Sequence, residues 1–276
     1  MNYAKTFKFY EEQLEKIGED RENLTYVFKE LKAWTTLDFL LHQNLLPSEE
    51  DKILIKQIYE DLCQHRSPQY ITGKAYFRDL VLQVDQGVLI PRPETEELVD
   101  LILAENQQSN LTMLDIGTGS GAIAIALKKE RPDWTIKAVD ISLEALSVAK
   151  SNAKAHQVEI DWSHSDVFSA VSGSFDIIVS NPPYIDYADK DEVGLNVYSS
   201  EPHLALFADE NGLAIYRKII EEASSYLKED GKLYFEIGYK QGDQVKNLVT
   251  KNIPKKRVRV LKDYFGKERM LVADNG

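Results

Sequence analysis

The chain has 276 residues, and its 33 Lys and Arg against 45 Asp and Glu give a formal net charge of −12. Hydrophobic residues make up 43% and charged residues 28%, as in soluble globular proteins, and the length suits one large domain plus a small one. The acidic balance opposes nucleic-acid binding unless cations gather in one place. The single Cys63 excludes a disulfide framework or a cysteine metal cluster, and no apolar run approaches the roughly 18 residues of a membrane span.

Residues 1 to 74 read as helices. Phe7, Tyr10, Leu14 and Ile17 recur at helical spacing, as do Leu24, Val27, Phe28 and Leu31. Ser48 looks like an N-cap, followed by Glu49, Glu50 and Asp51 where a helix dipole favours acids. Ile53, Leu54, Ile58 and Leu62 then form one apolar face. A small bundle with its own core is expected. Residues 75 to 91 alternate instead: Phe77, Leu80, Leu82 and Val84 precede Asp85-Gln86-Gly87, and Val88, Leu89 and Ile90 follow. That pattern predicts a β-hairpin linker turning at 85–87. Pro91-Arg92-Pro93 stiffens the exit.

From residue 92 to 276 strands and helices alternate. Helices are expected over 94–106, 121–130, 142–156, 213–227 and 241–251. Strands are expected over 111–117, 134–140, 158–163, 175–180, 232–238, about 256–262 and 268–273. This order implies an α/β domain with a mostly parallel sheet covered on both faces, closed by a short antiparallel connection. Ligands of such sheets sit beyond the carboxyl ends of the strands.

Three stretches at such ends carry chemistry. Asp115-Ile116-Gly117-Thr118-Gly119-Ser120-Gly121 joins a strand to a helix, where glycines let a ligand approach the backbone. Asp140 ends the next strand and can accept from ribose hydroxyls. The loop with Ala122 also fits a dinucleotide fingerprint, but Asp115 would repel a pyrophosphate and favours a cationic ligand such as S-adenosyl-L-methionine. Asp166-Val167-Phe168 offers a carboxylate for an adenine amine and an apolar side chain for its ring; a polar turn beside a core Phe fits equally well.

The third stretch, Asn181-Pro182-Pro183-Tyr184, follows the strand at 175–180 directly. Two prolines fix the backbone and remove two donors. What remains is an array of acceptors, the Asn181 side-chain oxygen and the Pro182 carbonyl, suited to a planar NH2 group. Tyr184 supplies a face for a flat amide or base. Asn181, Pro182 and Tyr184 are therefore the candidate catalytic residues, and Asn181 to Tyr184 the candidate substrate grip. The pattern suits methyl transfer to a nitrogen whose lone pair is delocalised, where alignment does most of the work.

With these motifs in place the chain resembles the release factor glutamine N5-methyltransferases of the PrmC/HemK type. The likeness runs nearly full length through RSPQYITGKAYF, VLIPRPETEELV, EPHLAL, EIGYKQ and DYFGKER. It implies a helical N-terminal substrate-recognition domain (1–74), a hairpin linker (75–91) and a Rossmann-like seven-stranded methyltransferase domain (92–276). It implies methylation of the glutamine side-chain amide in the GGQ motif of class-1 peptide chain release factors. The donor would be S-adenosyl-L-methionine, with S-adenosyl-L-homocysteine as product. Asp115, Gly117 to Gly121, Asp140, Asp166, Val167, Phe168 and Asn181 would hold the donor. The family often places an aromatic residue directly after the acid at 166, whereas here Val167 precedes Phe168, leaving open which meets the adenine.

Other features have quieter readings. Arg92 suits a brace to Glu94 or Glu96, or a place in a Pro-stiffened segment that shapes the cofactor entrance. Glu236 and Gln241 suit structural hydrogen bonds or a substrate contact, and the basic C-terminal strands suit protection of a sheet edge or contact with an acidic partner surface. His42, His65, His156, His164 and His203 lack metal-ligand spacing, so no metal is expected. An adenine-N6 methyltransferase is the rival for the same chemistry, opposed by net charge and the lack of a separate base-reading domain. A nicotinamide-dependent dehydrogenase leaves the Asn-Pro-Pro-Tyr stretch unexplained. The start shows no signal-peptide core. A cytoplasmic monomer with a protein substrate, without stable nucleic-acid or membrane contact, is expected.

Overall fold

The computed structural model describes residues 1–276, which divide into two compact units. One comprises Met1–Lys74 with Val193–Glu201, the other Ala75–Glu192 with Pro202–Gly276.

The smaller unit is helical: α1 (Tyr3–Lys16), α2 (Glu22–Lys32), α3 (Thr36–His42), α4 (Glu49–Cys63) and α5 (Pro68–Thr72). Its core joins Phe7, Leu14, Leu24, Phe28, Ile58 and Leu62 from the expected stripes, while Ile17 and Leu31 at their ends are exposed. Ser48 caps α4, its hydroxyl accepting from the Asp51 amide at 3.1 Å. Ile53 faces solvent, and Ile55 is the buried residue in its stead. Periodicity missed α3, which buries no residue and is held by a capping box between Thr35 and Asp38. The segment 193–201 forms α9 (Leu195–Ser200). Its Asn196 amide donates to Glu19 Oε2 at 3.1 Å, and Ser200 Oγ lies 2.8 Å from Ser67 Oγ.

In the larger unit the hairpin consists of β1 (Lys74–Phe77) and β2 (Leu80–Gln83). The expected turn at Asp85-Gln86-Gly87 is a correction: the hairpin turns at Arg78-Asp79, with Arg78 at φ 51°. At 85–87 the Asp85 side chain instead caps the Gly87 amide at 2.8 Å, and the chain leaves the hairpin. Phe77, Leu80 and Leu82 share a core with Ile102, Ile125 and Trp134, so the hairpin is packed rather than a free linker.

The large sheet contains β3 (Thr112–Ile116), β4 (Thr135–Asp140), β5 (Asp161–His164), β6 (Phe175–Ser180), β7 (Leu227–Glu236), β8 (Arg257–Lys262) and β9 (Glu268–Asp274). Their order is β5-β4-β3-β6-β7-β9-β8. Pairings are parallel from β5 to β7 and antiparallel for β7–β9 and β9–β8. Helices α6 (Pro93–Glu105), α7 (Ala122–Glu130), α8 (Leu143–Ala155), α12 (Ala214–Tyr226) and α13 (Gly242–Asn252) complete the alternation. Between β6 and α12 lie a 3-10 turn (Tyr187–Glu192), α10 (His203–Leu206) and the single turn α11 (Asp209–Gly212). Two apolar clusters cover the two faces of the sheet, which is why β3 and β6 read as continuous hydrophobic runs. Two strand ends move from expectation. β5 starts at Asp161, where pairing with Lys137 of β4 begins. β7 starts at Leu227 and shifts register against β6 before Lys232.

The order reverses at β3: the chain moves outward through β4 and β5, then returns to place β6 on the other side. That switch point opens a crevice at the carboxyl ends of β3 and β6.

Candidate active site

The glycine loop leaves β3 and the Asn-Pro-Pro-Tyr stretch leaves β6, so the two motifs straddle the switch point. Ser180 Oγ donates to the Ile116 carbonyl at 2.7 Å and ties the two exits together. A cavity of about 570 Å³ lies above them, within the range that buries a small molecule. Its walls include Gly117 to Ser120, Asp140, Asp166, Val167 and Asn181 to Pro183.

Asp140 pins the loop. Its Oδ2 accepts from the Gly119 amide at 2.8 Å and its Oδ1 from the Ser142 amide at 2.9 Å. A carboxylate has about four lone-pair sites, so capacity for ligand hydroxyls remains. Burial raises its pKa, and the amide bonds from Ser142 and Gly119 work against that.

Asp115 does not reach the cavity wall, which corrects the direct contact expected of it. It is fully buried at the end of β3, its Oδ2 accepting from the Thr118 hydroxyl at 2.6 Å. Its Oδ1 is buried without a hydrogen-bond partner. Burial, aided by the charge of Asp140, pushes the carboxyl up to about 7. Two acids under one glycine loop, one carrying an orphaned oxygen, make this end of the cavity a poor seat for phosphate and a good one for a cation.

Gly121 is also off the wall. It begins α7 at φ 84°, and a Cβ there would come within 2.9 Å of Ile125 and 3.2 Å of Trp162. It is the glycine of close helix packing rather than of ligand approach.

At 166–168 the structure separates the alternatives. Phe168 is a correction: it lies in the core, stacked on Tyr226 at 4.3 Å and 6°. Val167 faces the cavity, held at φ 53° with its carbonyl accepting from Ser165 Oγ at 2.8 Å. Left-handed backbone at a β-branched residue is unusual, and it is what turns Phe168 inward. Asp166 lines the cavity while its carboxylate pairs with Lys218.

Tyr184 is a correction as well. Its ring packs against the core instead of the cavity, its carbonyl accepts from Gln241 Nε2 at 2.9 Å, and its hydroxyl is 3.5 Å from Glu236 Oε1. Burial and the neighbouring Glu236 raise its pKa. Tyr184 therefore anchors the loop that presents Asn181 and Pro182. Asn181 Nδ2 donates to Thr95 Oγ1 at 3.2 Å, and Thr95 donates to Glu236 Oε2 at 2.6 Å. Glu236 is 1% exposed. Its carboxyl is pushed up to about 7 by burial, against the Thr95 hydrogen bond and the charge of Arg269.

Sequence reasoning passed over several wall residues. Ile141, half-exposed directly after Asp140, and Leu89, Phe207 and Ala208 all line the cavity. The apolar residue after the acid was a usable signal for Ile141. Nothing local marked Thr95, which meets a residue 141 positions away. The C-terminal arginines have internal partners: Arg257 and Arg259 on Asp274, Arg259 on Glu105, and Arg269 on Asp263. No group of three or more His, Cys, Asp or Glu side chains is placed to hold a metal ion, and no helix is long and apolar enough to cross a membrane.

Comparison with known proteins matches this arrangement. Residues 6–73 match the PrmC N-terminal domain and residues 95–200 the methyltransferase small domain. The chain is 55% identical over 277 residues to the release factor glutamine methyltransferase of Streptococcus pneumoniae (strain ATCC BAA-255 / R6), covering 100% of this chain and 99% of that protein. The chain belongs to the release factor glutamine methyltransferase family. A second relative, the release factor glutamine methyltransferase of Lactococcus lactis, is 47% identical over 92% of this chain and 94% of its own length. Both units thus fall within what the family shares. A crystal structure of a methyltransferase from Pyrococcus furiosus, 19% identical, has a TM-score of 0.55 over 82% of this chain and 98% of that one, which is a likeness of fold. The protein is a methyltransferase built on that fold.

Proposed function

We propose that this chain methylates the side-chain amide nitrogen, N5, of the glutamine in the GGQ motif of class-1 peptide chain release factors. The observation that carries the reading is the meeting of the glycine loop, Asp140 and the Asn181–Pro182 acceptors around one cavity, in a chain of this family. When bound, S-adenosyl-L-methionine supplies an electrophilic methyl group and leaves as S-adenosyl-L-homocysteine.

Gly117 to Ser120 and Asp140 would hold that donor, with Val167 and Ile141 against its adenine and the buried charge of Asp115 favouring its cationic end. The Asn181 side-chain oxygen and the Pro182 carbonyl would accept the two amide hydrogens of the glutamine. That grip orients the nitrogen lone pair and makes it more electron-rich. Once methylated, the nitrogen is acidic and gives one proton to solvent, so no side-chain base is required. Alignment of this kind supplies roughly 7–11 kcal/mol of a barrier. The helical unit would recognise the release factor outside the glutamine, and its exposed Leu37, Leu41 and Leu46 offer apolar surface for that contact.

The test offers labelled methyl donor to purified release factor and to duplex DNA side by side, with mass spectrometry locating the product. Label on the GGQ glutamine is expected, and label on adenine alone would refute the reading. Asn181→Ala should cut turnover by about 10²–10³ while donor binding persists, by analogy with loss of one preorganised polar group.

A further inference from the structure

An Asn side chain can present either its oxygen or its NH2 to a ligand, and only the oxygen can grip an amide NH2. The chain Asn181–Thr95–Glu236 decides between them. Thr95 is buried and has a single hydroxyl hydrogen. Its oxygen stands 2.6 Å from Glu236 Oε2, and an ionised carboxylate only accepts, so the hydrogen points to Glu236. Thr95 Oγ1 can then only accept from Asn181, 3.2 Å away, and the atom facing it must be the amide nitrogen. Asn181 Oδ1 is then the other arm of the planar amide, on a residue that lines the cavity.

We propose that Thr95 and Glu236 are positioning residues whose hydrogen-bond chain fixes the flip of the Asn181 amide, so that its oxygen meets the substrate NH2. The proposal rests on the glutamine-methylation reading for the identity of that NH2, and on the hydrogen-bond chain alone for the flip itself. Three separate elements build it: Thr95 from the first turn of α6, Asn181 from the exit of β6, and Glu236 from the end of β7. Pro93 opens α6 with a backbone preset for the first helical turn, and the Thr95 amide donates to the Arg92 carbonyl at 3.1 Å.

The chain works in this direction only while Glu236 is ionised. A protonated Glu236 can donate to Thr95, which frees the Thr95 hydrogen for Asn181 Oδ1 and permits the reverse flip. The charged and titratable groups around Glu236 are Arg92 just before α6, Glu94 of α6, Tyr184 after β6, Tyr216 of α12 and Arg269 of β9. The Tyr216 hydroxyl donates to the Glu236 carbonyl at 2.7 Å and holds its backbone.

Two measurements test the proposal. In steady-state kinetics at saturating donor, Thr95→Val should lower turnover about tenfold, the population shift that one hydrogen bond controls. Thr95→Ser should restore it to within about twofold, and S-adenosyl-L-homocysteine affinity by calorimetry should change by less than about twofold in both. Wild-type turnover should fall as pH drops through about 7, and Glu236→Gln should be slow with that limb absent. Full turnover in Thr95→Val, or equal impairment of the Val and Ser variants, overturns the proposal.

The second measurement follows the Asn181 side-chain NH2 signals by NMR of the 15N-labelled full chain without substrate, assigned by their loss in Asn181→Asp. Slow proton exchange in the wild type and faster exchange in Thr95→Val are expected. Identical exchange in the two proteins overturns the proposal. A wild type that transfers no methyl to release factor while these signals depend on Thr95 refutes the substrate reading and leaves the positioning chain standing.

Discussion

Replacing Asp115 by Asn separates the charge of this buried side chain from its shape. Asn keeps an oxygen for the Thr118 hydroxyl but cannot ionise. The Asp115 carboxyl ionises near pH 7 in the folded protein, against 3.8 in an unperturbed chain, with burial as the main cause. The folded state therefore holds a proton that the unfolded state has already released, and stability falls as pH rises from about 4 to about 7. Once both states are ionised the folded protein has lost about 4 kcal/mol to this group, and about 3 kcal/mol of that disappears between pH 5 and pH 8. Glu236 titrates in both proteins, so the difference between them isolates Asp115. Thermal melts of the ligand-free proteins at the two pH values are the assay. The wild-type midpoint should drop by about 6–12 °C more than that of Asp115→Asn, taking about 2–4 °C per kcal/mol for a domain of this size. A cation bound in the cavity above the glycine loop offsets part of the cost of ionisation through its charge. Saturating S-adenosyl-L-homocysteine, whose amino-acid end carries an ammonium, should narrow the gap at pH 8. Melting curves that shift in parallel between pH 5 and pH 8 would refute the claim that a desolvated carboxylate lies under the glycine loop.

Two further outcomes are expected. Asp140→Ala removes the acceptor shared by the Gly119 and Ser142 amides and should weaken S-adenosyl-L-homocysteine binding by at least about tenfold in calorimetry; unchanged affinity would remove Asp140 from the ligand site. Gly212→Ala should destabilise the protein by about 3 kcal/mol in chemical denaturation. Its φ is +78°, and a Cβ would stand 2.0 Å from the Tyr184 carbonyl oxygen, a backbone atom with little room to move. A wild-type midpoint would mean that the turn yields without disturbing Tyr184.

Most of the architecture was legible along the chain because its causes are local. Helical spacing of Phe7, Leu14, Leu24 and Phe28 marked the bundle, and the apolar runs at β3 and β6 marked strands covered on both faces. Where a helix packs little, as in α3, that signal vanished, and the Thr35–Asp38 cap that holds the helix was found only in the structure. The hairpin turn was misplaced because Asp85-Gln86-Gly87 has strong turn chemistry, yet Phe77 and Leu80 are fixed by the core and force the chain to reverse between them.

Part of the cavity wall was legible too, since Asp140, the glycines and Asn181-Pro182 stand out by type and spacing. Which side chains face the cavity was decided only in three dimensions. Phe168 and Tyr184 are aromatic residues beside binding motifs, and both turn into the core; Val167 takes the wall through its left-handed backbone. Sequence distance hides the partnership of Thr95 with Glu236, because strand order brings the end of β7 beside β6 and the start of α6 over both. Residue identity thus determined the reagents, while the orientation of each was decided by long-range packing and hydrogen bonds that no local pattern encodes.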